Sequence, residues 1–192
     1  GLDQGLGFSP AIIDHLERGS PGGAHLASLV GRGAAAILKR SRGRRPLSLL
    51  VVGAANLPLA AQLAAQAPDA SVVVTDPLSE FADSIRRSAE TEEQLRLTPW
   101  DEALDLDRGY DLILCAGSLH RVAAAPGRLD RMIQNLRTGG ALIAAEPHPS
   151  LFLDLVYGQT PDWWNRSISP DFPAGKMLGE RDWGEALREA GL

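Results

Sequence analysis

The most constraining feature of this chain is a set of continuous apolar runs, most of which end at a glycine or an acidic residue. Four runs are clear, at 47–52, 71–75, 111–116 and 141–145. We also expect a shorter strand at 94–98. Because these runs are apolar throughout, each strand is expected to be buried on both faces, which is typical of a parallel sheet. Helices are predicted between the strands, at 58–67, 78–89 and 126–136. The alternation predicts an α/β fold with a parallel, doubly wound sheet.

The first part of the chain has a different pattern. Ser9 and Pro10 suit the start of a helix, and an Ala- and Leu-rich helical stretch is predicted at 24–39. The basic segment that follows, 40–45, is expected to be a solvated connector. We therefore divide the chain into an N-terminal helical segment, 1–45, and an α/β core, 46–192.

Composition excludes several classes of protein. The 24 acidic and 19 basic residues give a formal charge of −5, which argues against a nucleic-acid or anionic-membrane surface. No apolar run reaches the roughly 18 residues that a membrane helix needs. The single cysteine, Cys115, cannot form an internal disulfide, so we expect a reducing, cytoplasmic setting. No cluster of Cys and His suggests a metal site.

The carboxyl ends of the strands are where such a sheet binds its ligand. Gly53 permits a tight turn after the first strand, and Asn56 can cap the helix that follows. Asp76 ends the second strand, where an acid commonly accepts hydrogen bonds from ribose hydroxyls. These residues indicate a nucleoside-containing ligand; the alternative is a plain strand–helix turn with a capping aspartate. Ala55 and Pro58 stand where a dinucleotide fingerprint needs glycines, which argues against an NAD-type dehydrogenase.

A histidine and a glutamate follow the next two long strands. His120 lies in GSLHRV and Glu146 in AAEPHP, and neighbouring strand ends lie about 5 Å apart. A carboxylate bonded to the imidazole would orient it and raise its basicity, producing a general base. The alternative is a histidine packed at the sheet edge beside a glutamate that caps the next turn.

The order strand, GAAN, helix, strand ending in TD, YDLILCAGSLH, helix and LRTGGALIAAEP resembles the class I S-adenosylmethionine-dependent methyltransferases. The further segments LFLDLVYGQTPDWWNRS and LGERDWGEALREAGL narrow the resemblance to the C-methyltransferase domain of modular polyketide synthases. The resemblance covers 46–192, and 1–45 matches only loosely, as a remnant of a helical lid. It implies a Rossmann-like class I methyltransferase fold.

The resemblance also implies roles for individual residues. His120 would remove a proton from the α-carbon of a β-ketoacyl thioester, and Glu146 would hold the histidine; the enolate carbon would then take a methyl group from S-adenosylmethionine. The substrate would be tethered to an acyl carrier protein through phosphopantetheine. Tyr157, Trp163 and Trp164 would line the acyl or pantetheine side, although simple lid packing explains these aromatics equally well. The cofactor-binding residues that the resemblance implies are Gly53, Ala55, Asn56, Asp76, Asp101 and Ala116.

Several positions depart from the family's cofactor motif. The acid expected two residues before the first glycine is Val51, and two later glycine positions are Ala55 and Leu57. Asp101 falls slightly late for its expected contact with adenine, whereas Asp76 is kept. Excess bulk and a lost charged hydrogen bond each cost on the order of 1–3 kcal/mol, so the S-adenosylmethionine site is expected to be degenerate.

Three functions therefore stay open. The chain is an active C-methyltransferase domain, a pseudo-methyltransferase that supports neighbouring synthase domains, or a free-standing small-molecule methyltransferase. The family's sheet ends in a hairpin after its last helix, and this sequence stops before one. We therefore expect a sheet that lacks its last two strands, and a fragment of a longer chain.

Overall fold

The computed structural model describes residues 20–41, 45–78, 95–105, 109–158, 163–165, 174–175 and 177–192. Five parallel strands form the central sheet in the order β3-β2-β1-β4-β5. They are β1 Ser48–Val52, β2 Ser71–Thr75, β3 Leu95–Leu97, β4 Tyr110–Ala116 and β5 Leu136–Ala145. The order reverses between β1 and β4, which is the switch point of a doubly wound sheet. The predicted α/β fold and all five strands are confirmed.

One helix precedes the strands, and the others lie between them or after them. They are α1 Pro21–Ser41, α2 Leu57–Gln66, α3 Trp100–Ala103, α4 Leu119–Ala123, α5 Arg128–Gln134, α6 Leu151–Tyr157 and α7 Glu180–Glu189. A two-stranded antiparallel pair joins β6 Trp164–Asn165 to β7 Ala174–Gly175. The predicted helix after Ser9 lies outside the described residues, as does nearly all of the one at 78–89.

One predicted helix is shorter than expected. The segment 126–136 contains α5, which begins only at Arg128, because Gly127 precedes it with a left-handed φ of 72°. At the other end the helix stops before Leu136, which opens β5 and pairs with Tyr110. A glycine before the helix and a strand immediately after it leave room for only two turns.

Both faces of the sheet are buried, as the unbroken apolar runs predicted. In β1, Leu49 and Val51 face one cluster and Leu50 and Val52 face the other, and none of the four is exposed. Each such side chain contributes roughly 1.5–3 kcal/mol through burial. The first cluster lies beneath α1 and α2, and the second beneath α3, α4, α5 and α7.

Helix α1 belongs to the first of these layers. Its buried residues Val30, Ala34 and Leu38 are spaced four apart, so they form one stripe that packs against the sheet. The whole of α1 falls in the segment 1–45 that we separated from the core. The boundary at residue 45 itself stays a prediction.

An ion cluster joins the connector to the amino end of the sheet. Asp111 accepts hydrogen bonds from Arg45, from Arg137 at 3.0 Å and from the Ser48 amide at 2.8 Å. Burial raises the pKa of Asp111, but the bonds from Arg45 and Ser48 and the two positive charges outweigh it and hold the pKa below its ordinary value. Arg45 is thus anchored although it is largely exposed.

The single cysteine lies near the carboxyl end of β4. Cys115 pairs in register with Val52 on one side and Ala144 on the other, and none of its surface is exposed. Burial, together with the nearby Glu146 charge, strongly raises the pKa of its thiol. Among the described helices, none is long and apolar enough to cross a membrane. The same residues hold no cluster of three or more metal-ligating side chains.

Candidate acid–base pair and nucleoside site

The predicted site residues meet at the carboxyl edge of the sheet. In register, Ala116 of β4 lies beside Ala145 of β5, so the residues that follow these strands are neighbours. The Gly117 amide extends the pairing by donating to the Ala145 carbonyl at 2.8 Å. This places Glu146 beside the start of α4, where His120 lies.

The expected contact between the histidine and the glutamate is present. His120 Nδ1 lies 2.7 Å from Glu146 Oε2, and the Leu119 amide donates to Glu146 Oε1 at 2.6 Å. The side chains are 9% and 5% exposed, respectively. Both carboxylate oxygens are therefore engaged, and the pair is held in a water-poor setting.

This geometry selects one form of the neutral imidazole. Because a carboxylate can only accept, Nδ1 of His120 carries the proton and Nε2 keeps its lone pair. Within the described part of the chain, Nε2 has no hydrogen-bond partner. Such an arrangement can serve as a general base for a substrate that reaches Nε2.

The turn after β1 differs from its prediction in one respect. Asn56 occupies the N-cap position of α2, but its side chain makes no capping bond. Instead its Nδ2 donates to the carbonyls of Val52 at 2.7 Å and Ala116 at 3.0 Å, and the residue is buried. The expected cap is therefore wrong: Asn56 ties β1 to β4 across the switch point, because two strand-end carbonyls there need a donor.

The glycine that opens this turn is closely surrounded. Gly53 has a φ of 100°, and a Cβ on it would lie 2.9 Å from the Cβ of Ser118 and 3.1 Å from Asn56 Nδ2. Ser118 Oγ donates to the Val52 carbonyl at 2.8 Å. The space above the turn is thus filled by side chains of the protein itself.

Asp76 is where it was predicted, at the end of β2, but its carboxylate points inward. The Ala54 amide donates to Oδ2 at 2.7 Å and the Leu78 amide donates to Oδ1 at 2.9 Å. None of the side chain is exposed. Both oxygens therefore bind the backbone of their own chain.

Sequence reasoning missed Arg121, which lies beside Asp76 and Gly53 in the structure. It lies on α4 directly after His120, is 8% exposed, and its Nη1 lies 3.8 Å from Asp76 Oδ2. The only sequence signal was a basic residue in the first turn of a helix that follows a strand. That position does not reveal which way the side chain points.

Asp101, unlike Asp76, has a largely exposed side chain. It is in the first turn of α3, 83% exposed, and bonded to Arg131 at 2.6 Å. Asp101 lines a cleft of about 450 Å³, to which Asp76 contributes only backbone surface; the other lining residues are Pro77, Pro99, Trp100, Pro126, Gly127, Arg128 and Arg131. Of the other predicted cofactor residues, Ala55 is half-buried in the turn and Ala116 contributes its carbonyl to Asn56.

The predicted substrate aromatics form a small stack. Tyr157 and Trp163 lie 5.1 Å apart between ring centroids, and Trp163 Nε1 donates to Asp154 Oδ1 at 2.9 Å. Trp163 is only 4% exposed, which favours a packing role for it. The side chain of Trp164 lies outside the described residues.

The chain matches no protein-family model. It is 32% identical over 100 residues, 51% of its length, to the highly reducing polyketide synthase otaA of Aspergillus carbonarius. It is 30% identical over 83 residues to highly reducing polyketide synthase 40 of Fusarium pseudograminearum. The chain spans only 4% and 3% of these two relatives, respectively.

Solved structures share the fold across nearly the whole chain. The CurJ carbon methyltransferase has a TM-score of 0.73 at 20% identity, covering 95% of this chain and 51% of its own. The trans-methyltransferase CalH in complex with SAH has a TM-score of 0.68 at 20% identity, and the match covers 96% of this chain and 53% of CalH. The citrinin polyketide synthase CMeT domain has a TM-score of 0.66 at 16% identity, and the match covers 95% of this chain and 51% of that domain. The chain therefore has the Rossmann-like class I methyltransferase fold that its sequence indicated.

S-adenosylmethionine is the cofactor that this fold implies, and the residues present do not fit it. A ribose needs an open carboxylate at the end of β2, but Asp76 is buried and bonded on both oxygens. The acid position of the first motif is Val51, which is wholly buried in the core. Leu57, at a glycine position of the motif, packs against the same core cluster.

Proposed function

We propose that this chain is a methyltransferase-like domain of a polyketide synthase that does not use S-adenosylmethionine. One observation carries the proposal: the Asp76 carboxylate has no exposed surface and its oxygens bind the Ala54 and Leu78 amides. A ribose can reach this carboxylate only by displacing contacts that the protein already makes, and each charged bond displaced costs about 1.5–3 kcal/mol.

The charges of the site support the same conclusion. S-adenosylmethionine carries a positive sulfonium and a positive amino group. The site offers them Val51 in place of an acid, and it places the Arg121 guanidinium beside Asp76. A cation that approaches the Arg121 guanidinium meets a like charge, which disfavours its binding.

We propose a structural role in the cytoplasm, in contact with neighbouring domains of the synthase. The sequence similarity to highly reducing polyketide synthases supports this setting. Deleting the domain from its synthase should then impair assembly or stability and leave the methylation pattern of the product unchanged. A product that lost one methyl branch would contradict the proposal.

The direct test is calorimetric titration of the folded protein with S-adenosylmethionine and S-adenosylhomocysteine. We expect no heat of binding at high ligand concentration, with circular dichroism showing that the sample is folded. Micromolar binding of either compound would refute the proposal. Adenosine serves as a third ligand, because it separates the nucleoside contacts from those to the methionine part.

The second candidate is an active C-methyltransferase domain, and the buried His120–Glu146 pair favours it. In this case Nε2 of His120 removes the α-proton of a β-ketoacyl thioester carried by phosphopantetheine on an acyl carrier protein. Tyr157, Trp163 and Trp164 line the acyl side. Incubation with a β-ketoacyl carrier protein and S-adenosylmethionine, read by mass spectrometry, tests it. A mass gain of one methylene that His120→Ala abolishes would favour this candidate.

A further inference from the structure

Arg121 is a buried cation at a place where the acid–base pair does not use it. Arg121 lies on α4 one residue after His120, only 9% of its side chain is exposed, and the side chain reaches across the end of β1 towards β2. A buried arginine is costly unless an anion compensates it. One acid within ion-pair distance is Asp76, with Nη1 to Oδ2 at 3.8 Å.

The guanidinium competes for the same carboxylate as a bound nucleoside would. Ribose hydroxyls bind an aspartate by donating hydrogen bonds to it. The Ala54 and Leu78 amides already supply two donors to Asp76, and Arg121 adds a compensating charge. An approaching ribose must therefore replace a charged partner with a neutral one.

Arg121 also fills space above the turn after β1. A Cβ built on Gly53 would lie 3.2 Å from Arg121 Nη2, so the guanidinium lies directly against the glycine. In a fold of this class that backbone is the surface that a ligand approaches most closely. Asn56 and Ser118 fill the remaining sides, but both are uncharged and bonded to strand-end carbonyls.

We propose that Arg121 is the residue that excludes nucleosides from this site, by binding Asp76 and covering Gly53 in their place. The site beneath it is a latent one for a neutral adenine nucleoside. This inference rests on the proposed function, because it supplies the reason why S-adenosylmethionine is not bound.

Three substitutions at one position separate volume from charge. Arg121→Ala removes both, Arg121→Gln keeps most of the length without the charge, and Arg121→Lys keeps the charge on a slimmer group. The matched control is Arg45→Ala, which removes an arginine that pairs with Asp111 at the opposite end of the sheet. Each protein is titrated calorimetrically with S-adenosylhomocysteine, whose sulfur is neutral, and with S-adenosylmethionine.

We expect Arg121→Ala and Arg121→Gln to bind both compounds measurably, at least about tenfold more tightly than the detection limit that the wild type fails to reach, and Arg45→Ala to show no binding, like the wild type. Arg121→Lys should gain affinity for S-adenosylhomocysteine and less for S-adenosylmethionine, because the retained charge repels the sulfonium. If Arg121→Ala does not fold, Arg121→Gln and Arg121→Lys, which preserve more of the packing, decide the question.

The outcomes distinguish the two proposals. A wild type that binds neither compound, with Arg121 variants that also bind neither, overturns the role of Arg121 and leaves the proposed function standing. Wild-type binding at micromolar concentration refutes the proposed function, and variants no tighter than that wild type refute the role of Arg121 as well. An equal gain for both compounds in Arg121→Lys would show that only the volume of Arg121, not its charge, excludes the ligand.

Discussion

Adding a single methyl group at Gly53 tests whether the nucleoside site is closed in the protein without a ligand. The substitution Gly53→Ala forces an L-residue to a φ of 100°, at a strain of about 1–3 kcal/mol. It also places a Cβ 2.9 Å from Ser118 Cβ, within a group of contacts all shorter than 3.3 Å. Such overpacking costs about 1–3 kcal/mol more. The two together predict a loss of about 2–6 kcal/mol in the free energy of unfolding.

Gly127→Ala is the matched control. Gly127 also has a positive φ, 72°, but a Cβ there would meet no atom within 4 Å. Its cost is backbone strain alone, about 1–2 kcal/mol. Urea denaturation followed by circular dichroism measures both variants. If Gly53→Ala lost no more stability than Gly127→Ala, the space above Gly53 would be open and our account of the closed site would be wrong.

Two further predictions concern the acid–base pair and the ion cluster. In the wild-type protein, the ¹⁵N spectrum of neutral His120 should show the proton on Nδ1. In Glu146→Gln a substantial part of the population should move to the Nε2–H form, because the glutamine amide presents a donor to Nδ1. An unchanged tautomer ratio would contradict the assigned hydrogen bond. Asp111→Asn should lower the urea midpoint at pH 7, and the difference from wild type should vanish as the pH falls below the ordinary aspartate value of 3.8. The sign follows from the lowered pKa of Asp111: its stabilisation is complete above the unfolded-state pKa and is lost as the pH falls through the folded-state pKa. A midpoint difference that persisted in acid would show that packing, not charge, is lost.

The strands and the His120–Glu146 contact were predictable from sequence for the same reason. Unbroken apolar runs specify a sheet buried on both faces, and in a parallel sheet the ends of neighbouring strands must lie side by side. The identity of the residue after each strand then indicates which side chains can meet. Backbone order alone was enough to bring His120 to Glu146.

The state of the nucleoside site was not predictable in this way. Asp76 keeps the residue type and position of a ribose acceptor, yet in the structure its oxygens bind the Ala54 and Leu78 amides. Asn56 was expected to cap α2 and instead bonds across to β4. These outcomes depend on side-chain direction and on competition among donors within one small volume, which sequence spacing does not encode.

Because of its position, Cys115 can report whether the central sheet is intact. The chain has one cysteine, and it lies unexposed in β4, between β1 and β5, with a thiol whose pKa burial strongly raises. A thiol reagent reacts with the thiolate, so labelling requires that β4 separate from its neighbours and let water in. The rate of labelling therefore reports the opening of the sheet at a single site, and no cysteine has to be introduced for the measurement. The labelling rate of Cys115 can be measured in every substituted protein considered above. A variant whose Cys115 is labelled at the wild-type rate has kept its central sheet.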